Sequence, residues 1–431
     1  MYRFFVPALA SGLLFFGIPT TALAQTGPTS GWGMTSLINP IGSSLELSDG
    51  RLVTFDGQLV ELLDATGSSS TTLFDFGQFV FGGAFVLAPD ESYAVVGESS
   101  SGDVFRVELD GSGATLLTTL PFNFDAAFDP GGELFVSAAV NGFGTPNELL
   151  QVDPVLGGAV TVGVFDGPSG PIDFDAQGNL YYATQSPIFP APAGSTDVLL
   201  FTSAQLAGGV VLGLTDGLGF GTGFDGGIDL EIDRSTGAVF LAEVNFGSGL
   251  NQIRRVVGGA GSSPVLYSGP LFESISLEGY FDLGGLQIFA PYQPAGAGRL
   301  VFSRTDFVSV DERAELAPER PNLDLSGPGA TGIGTLTIDL DGLEPGQPCL
   351  MFFAPGGATA DVVLPGALPL FVNLDLASAA TFPFPFGADA NGEASVPLFN
   401  PGVGSVTFQG LVYRIDMGAT QLLGTTNAGS I

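Results

Sequence analysis

The chain has 431 residues, with 44 acidic against 11 basic side chains and a formal charge of −33 at neutral pH. Such a balance repels nucleic acid and anionic membranes, both of which need basic patches to neutralise phosphate. The basic residues are all Arg, His and Lys are absent, and Cys349 stands alone. These absences exclude Ser-His-Asp and Cys-His catalysis, His-based zinc or haem sites, lysine Schiff bases, the P-loop and an internal disulfide. Carboxylate, amide and hydroxyl chemistry remains.

In chain order, Arg3, an apolar run over 4–18 and the sequence TTALA with Ala22 and Ala24 predict a secretory signal peptide over 1–24. The apolar run falls short of the roughly 20 residues that a membrane span needs. The mature chain is therefore expected to be secreted, whether extracellular, periplasmic or at the cell surface, with no membrane insertion once the signal is removed. Hydrophobic residues at 45%, including 37 Phe, supply material for a large core.

From residue 25 to 316 one phrase recurs, clearest as IDFDAQGNLYYA at Ile172–Ala183. It reads as a strand, an Asp/Gly turn and a strand of alternating apolar residues. Looser copies begin at Leu45, Phe85, Ala126, Leu230 and Tyr280, with turn aspartates at Asp49, Asp90, Asp129, Asp175, Asp233 and Asp282. Their spacings are 41, 39, 46, 58 and 49 residues. Further pairs of strand-like runs follow the hairpins, such as VFRVELDGSGATLLTTL, ELLQVDPVLGGAVTVGVF and DVLLFTSAQLAGGVVLGL. Four short strands per unit at this period predict an all-β, six-bladed β-propeller, with five or seven blades as the bounds. No sustained helical period is present.

FDPGGELFVSA, FDAQGNLYYA and IDRSTGAVFLA, each followed by a segment such as LLQVDP or IRRVV, resemble the repeats of NHL and gluconolactonase/regucalcin-like six-bladed propellers. The resemblance covers about two-thirds of the chain. It implies a divalent ion held on the propeller axis by acidic and amide side chains, in the service of lactone hydrolysis. Residues flanking the innermost hairpins recur once per blade and supply oxygen ligands suited to calcium or another hard cation. The positions selected here are Glu98, Asp125, Asp229, Glu243 and Asn245, from a wider set that includes Asp56, Asn141, Gln185 and Gln293. The same residue types also occur in ordinary polar loops at strand ends.

Other constellations carry less. Asp173-x-Asp175-x-Gln177-Gly178 and Asp389-x-Asn391-Gly392 have the spacing of a calcium loop but lack its twelfth-position Glu, Thr184 and Asn400 standing there. They also suit plain turns. A carboxylate pair for glycosidase chemistry, such as Glu243 with Asp229, needs a separation that only a structure supplies. Phe189, Phe220, Phe246 and Tyr292 are candidates for stacking on sugars. Of the adjacent Arg254 and Arg255, at least one is expected to pair with a carboxylate.

APERPNLDLSGPG then predicts a linker over 317–329, and short strands between Gly, Pro and Asp turns predict a β-sandwich over 330–431. DANGEASVPL and GSVTFQGLVYRID resemble a C-terminal module of many secreted bacterial proteins. No LPxTG-like anchor follows before the final TTNAGSI. The function expected from these features is a secreted, non-catalytic binding or surface-scaffold protein meeting a protein, glycan or small molecule. The alternatives are a divalent-metal-dependent lactonase-like hydrolase and a glycan-binding propeller.

Overall fold

The computed structural model describes residues 27–28, 32–37, 42–142, 146–188, 190–234, 237–245, 248–258, 263–270, 273–282, 298–306, 312–318, 322–326, 333–341, 343, 348–355, 362–364, 370–372, 380–389, 393–401, 406–416 and 419–430. The predicted signal peptide lies outside these residues. None of the helices among them is long and apolar enough to cross a membrane.

The fold is an all-β propeller with six successive blades. Blade one is Ser43–Glu46, Leu52–Phe55, Leu59–Leu63 and Ser70–Asp75; blade two is Gly82–Leu87, Tyr93–Glu98, Asp103–Glu108 and Ala114–Thr119. Blade three is Asn123–Phe128, Leu134–Ala138, Asn147–Val152 and Ala159–Phe165; blade four is Ile172–Phe174, Leu180–Ala183, Thr196–Phe201 and Leu218–Phe224. Blade five is Gly226–Ile232, Val239–Asn245, Leu250–Val256 and Val265–Pro270, with the two-residue strand Gly27–Pro28 added at its outer edge. Blade six takes Glu273–Asp282, Gly298–Asp306 and Glu312–Pro318, with Trp32–Ser36 as its outermost strand. Just beyond that N-terminal strand, Leu37 N donates to Arg313 O at 2.8 Å.

Blades one to five fold as the hairpin phrase requires, while the second half of the sixth copy lies outside the described residues. In blade four Ile172 pairs with Tyr182 and Phe174 with Leu180 across the Asp175 turn. Asp175 accepts from the Gln177 and Asn179 amides at 2.9 Å, and Gly178 takes the positive φ of 77° that the turn demands. The calcium-loop spacing is thus an Asx turn closed by its own backbone. First strands neighbour one another from blade two through blade five, so they line the axis. Second strands are sandwiched, and those of blades two, three and four are buried throughout.

The apolar cores lie between blades. One cluster joins Val53, Phe55 and Val60 of blade one to Phe85 and Val96 of blade two. Another joins Phe135 and Leu149 of blade three to Phe174, Leu180 and Tyr182 of blade four. Similar clusters join blades two and three, and four and five.

Two expectations need correction. The long 58-residue spacing reflects an insertion in blade four, where Thr202 and Gln205 form a reciprocal capping box on a short helix, Ser203–Leu206. The fourth strand accordingly moves from the apolar run GVVLGL to Leu218–Phe224. The expected linker holds a strand, Asn322–Ser326, paired with Ile333–Asp341. Moreover the chain divides into two compact units at other boundaries: 1–27, 36–280 and 301–315 form one, and 28–35, 281–300 and 316–431 the other.

In the second unit, Asn322–Ser326, Ile333–Asp341 and Ala394–Pro401 form one sheet. Ala380–Gly387, Pro348–Pro355, Val406–Asp416 and Ala419–Ser430 form another, and Val362–Leu364 pairs with Leu370–Val372. Leu336, Ile338 and Leu340 of the first sheet share an apolar cluster with Cys349, Met351 and Phe408 of the second. Burial pushes the Cys349 thiol up to about 12, as expected of a core cysteine.

Phe174, fully buried at the blade three–four interface, is expected to cost about 3–5 kcal/mol on replacement by Ala. Leu156→Ala, at a position 87% exposed, should stay within ~0.5 kcal/mol. Urea unfolding of the two variants measures the difference.

Candidate functional site

The axis is the place where side chains from different blades converge. Asp125, 3% exposed on the first strand of blade three, accepts from the next amide of its own strand, Ala126 N, through Oδ1 at 2.8 Å. Its Oδ2 accepts from Ile172 N of blade four, also at 2.8 Å. Asp229, 2% exposed, repeats the arrangement: Oδ1 with Leu230 N and Oδ2 with Leu277 N of blade six, both at 2.8 Å. Asp173 does the same between blades four and five, with Phe174 N and Ile232 N at 2.7 Å. Three carboxylates therefore each bridge two backbone amides on adjacent blades.

The remaining seams use related groups. Glu278 of blade six accepts from Ser44 Oγ of blade one at 2.6 Å, from Ser303 Oγ, and from Arg313 Nε at 2.6 Å. Arg313 also pairs with Glu46 of blade one. Between blades two and three the Asn123 carboxamide accepts from Ala84 N at 2.9 Å and donates to Glu98 O and Leu120 O. It passes so close to Gly83 and Gly97 that a Cβ at either would overlap it. The sequence reading missed Asn123, Asp173 and Glu278 in these roles. A polar residue flanked by apolar ones on a first strand was the available signal.

The five expected ligands do not meet as one group. Glu98 is held within blade two, its carboxylate accepting from Ser100 N at 2.7 Å and from Ser101 N. Asp125 and Asp229 are spent on separate seams. Glu243 and Asn245 do come together, around Asp225 at one end of blade five. Glu243, 0% exposed, accepts from Asp225 N at 2.9 Å and pairs with Arg254. Asn245 donates to Asp225 Oδ2, while Gly194 N donates to Asp225 Oδ1 at 3.0 Å. Arg254 is anchored further by Ser263 O and Gln252 Oε1, both at 3.1 Å, which meets the expectation that one of the two adjacent arginines pairs with a carboxylate. Among the described residues, no three His, Cys, Asp or Glu side chains are grouped so as to hold a metal ion.

The wider set fares similarly. Asp56 accepts from Gln58 N and Leu59 N, Asn141 donates to Glu148, and Gln185 donates to Gly227 O. Gln293 lies outside the described residues. Of the aromatic candidates, Phe220 is buried edge-on against Tyr181 in the core between blades four and five, which removes it from sugar stacking. Phe189, Phe246 and Tyr292 lie outside the described residues.

Asp173 has the most perturbed axial environment. Burial raises its pKa from 3.8 to about 7, against the pull of Arg234, whose guanidinium lies 3.9 Å away. Arg234 itself reaches from blade five to Phe174 O of blade four at 3.2 Å and to Phe128 O of blade three. Because the folded value stands above the unfolded one, the folded chain binds the extra proton. The stability contributed by Asp173 is therefore present below about pH 4 and lost as the pH rises through about 7.

Two outcomes are expected. Asp229→Ala orphans Leu230 N and Leu277 N and should lower stability by about 3 kcal/mol, against about 1 kcal/mol for Glu98→Ala, whose bonds are local to one turn. Denaturant titration compares them. Asp173→Asn should flatten the decline in melting temperature between pH 4 and pH 7, read by scanning calorimetry across that range.

No protein-family model matches the chain, and no curated protein does. Solved structures do. A gluconolactonase, XC5397 from Xanthomonas campestris, is 14% identical with a TM-score of 0.47, over 69% of this chain and 96% of that one. A calcium-binding protein, regucalcin from Agrobacterium tumefaciens, is 13% identical with a TM-score of 0.42, over 68% and 95%. A nidogen/laminin complex is 13% identical with a TM-score of 0.39, over 58% and 87%. These likenesses are of fold, and they give no support to the NHL part of the resemblance.

Proposed function

We propose that this protein is an exported, non-catalytic β-propeller that binds a protein, glycan or small molecule or serves as a surface scaffold. The observation that carries this reading is the use made of the axial carboxylates. Asp125, Asp173 and Asp229 each give one oxygen to their own strand and one to the next blade, so their chemistry is spent on holding the ring. Fold alone does not choose among propeller functions, and the engagement of these side chains supports this reading. In the same reading the first 24 residues act as a cleaved signal peptide. The second unit is a two-layer β-sandwich built on the cluster around Ile338 and Phe408.

A second reading, a divalent-metal-dependent lactonase-like hydrolase, is favoured by one observation: Asp225, Glu243 and Asn245 gather at one strand end. Its donor set does not suit a divalent cation as it stands. The Arg254 guanidinium already neutralises Glu243, and a cation there would meet like charge.

A thermal melt of the mature protein in EDTA and then in excess calcium separates the two. A ligand that binds only the folded state raises stability by mass action. The expected result is no calcium-dependent shift and no hydrolysis of gluconolactone above background. A shift that disappears in Glu243→Gln, together with lactone turnover, would replace the first reading with the second.

A further inference from the structure

Asn147 opens the third strand of blade three, where it is 0% exposed. Neither its Oδ1 nor its Nδ2 has a protein partner in hydrogen-bonding geometry. The buried Oγ of Ser169 is likewise without one. The backbone draws the two residues together. Asn147 N donates to Gly167 O at 3.0 Å, and the Tyr182 hydroxyl approaches Pro168 O, immediately before Ser169. That approach is 3.4 Å, long for a hydroxyl, whose usual range is about 2.5–3.0 Å. Tyr182 also lies close enough to Asn147 for the amide to oppose the strong upward push that burial gives its hydroxyl pKa. The Phe165 ring, 4.7 Å from that of Tyr182, packs an apolar wall beside them.

A buried amide left without partners is strongly unfavourable. The amide, the serine hydroxyl and the weakly engaged phenol offer both donors and acceptors, and none carries a charge. A cation would find no carboxylate among these three groups and an anion no cationic partner. The complementary ligand is small, neutral and able both to donate and to accept. Buried water fits that description and typically makes two to four such bonds.

We propose that Asn147, Ser169 and Tyr182 bind a single ordered water that pins the 166–171 connection between blades three and four. This connection passes against Gln185 O at Gly167, and Gln185 in turn donates to Gly227 O of blade five. The water thereby fixes a loop shared by three blades at one end of the axis.

A crystal structure of the mature chain at about 1.5 Å tests the site, paired with hydrogen exchange of the 163–172 peptide in wild type, Asn147→Leu and Ser169→Ala. The expected density is one solvent peak within about 3.2 Å of the Asn147 carboxamide and Ser169 Oγ. Loss of the bridge should speed exchange of the 166–171 amides up to roughly tenfold in Asn147→Leu and less in Ser169→Ala. Ser169→Ala keeps the test open if Asn147→Leu fails to fold. An Asn147 amide turned directly onto Tyr182 or Ser169 with no solvent peak overturns the proposal. So does a peak whose loss leaves exchange unchanged in both variants.

Discussion

Everything in the propeller depends on a carboxylate shared between two backbone amides on neighbouring blades. A propeller places its innermost strands side by side without pairing them as a continuous sheet, so amides near the axis need partners from elsewhere. Asp125, Asp173 and Asp229 supply them, each with one oxygen on an amide of the next blade. The acid is thereby a joint: one oxygen registers the side chain on its own strand, and the other fixes the position of the next.

The joints work because burial around them is apolar and divided. Interfacial clusters hold the blades face to face, while the carboxylates set their angular register at the axis. Between blades one and two the Glu91 carboxylate accepts from Ser48 N and Ser48 Oγ in the exposed turns, and aromatic rings fill the seam, with Phe55, Phe74, Phe76, Phe85 and Phe105 packed at centroid distances of 4.8–6.2 Å. Ring packing is tolerant of direction in a way that hydrogen bonds are not. Other acidic side chains sit in exposed turns, such as Asp64, which accepts from nearby hydroxyls and amides; such surface charge favours solubility.

The propeller was legible because its signals are local. Asp-led turns between apolar runs dictate hairpins, and their spacing counts the first five blades. The insertion in blade four was hidden because GVVLGL has a strand's composition, whereas the capping box that displaces it is two residues, Thr202 and Gln205. The axial site was half legible. Position picked out Asp125 and Asp229 as axial, but a carboxylate bound to amides and one bound to calcium look alike in sequence. Register decides between them, and Asp173, at a different offset from its turn, joins the set only once the strands are placed. At least one of Arg254 and Arg255 was read as a carboxylate partner, but that it is Arg254 on Glu243 depends on the pairing of the second and third strands of blade five.

The clasp of Arg313 on Glu46 and Glu278 has a kinetic meaning. Its two halves are 267 residues apart in sequence, and the outermost strand of the last blade comes from the N-terminal part of the chain. At ordinary synthesis rates the early segment waits on the order of tens of seconds for its partners. During that interval blades one to five form an open arc whose two ends lack their partners in blade six. Ring closure is then a single late event of high contact order, and the nascent arc is the species most exposed to misassembly.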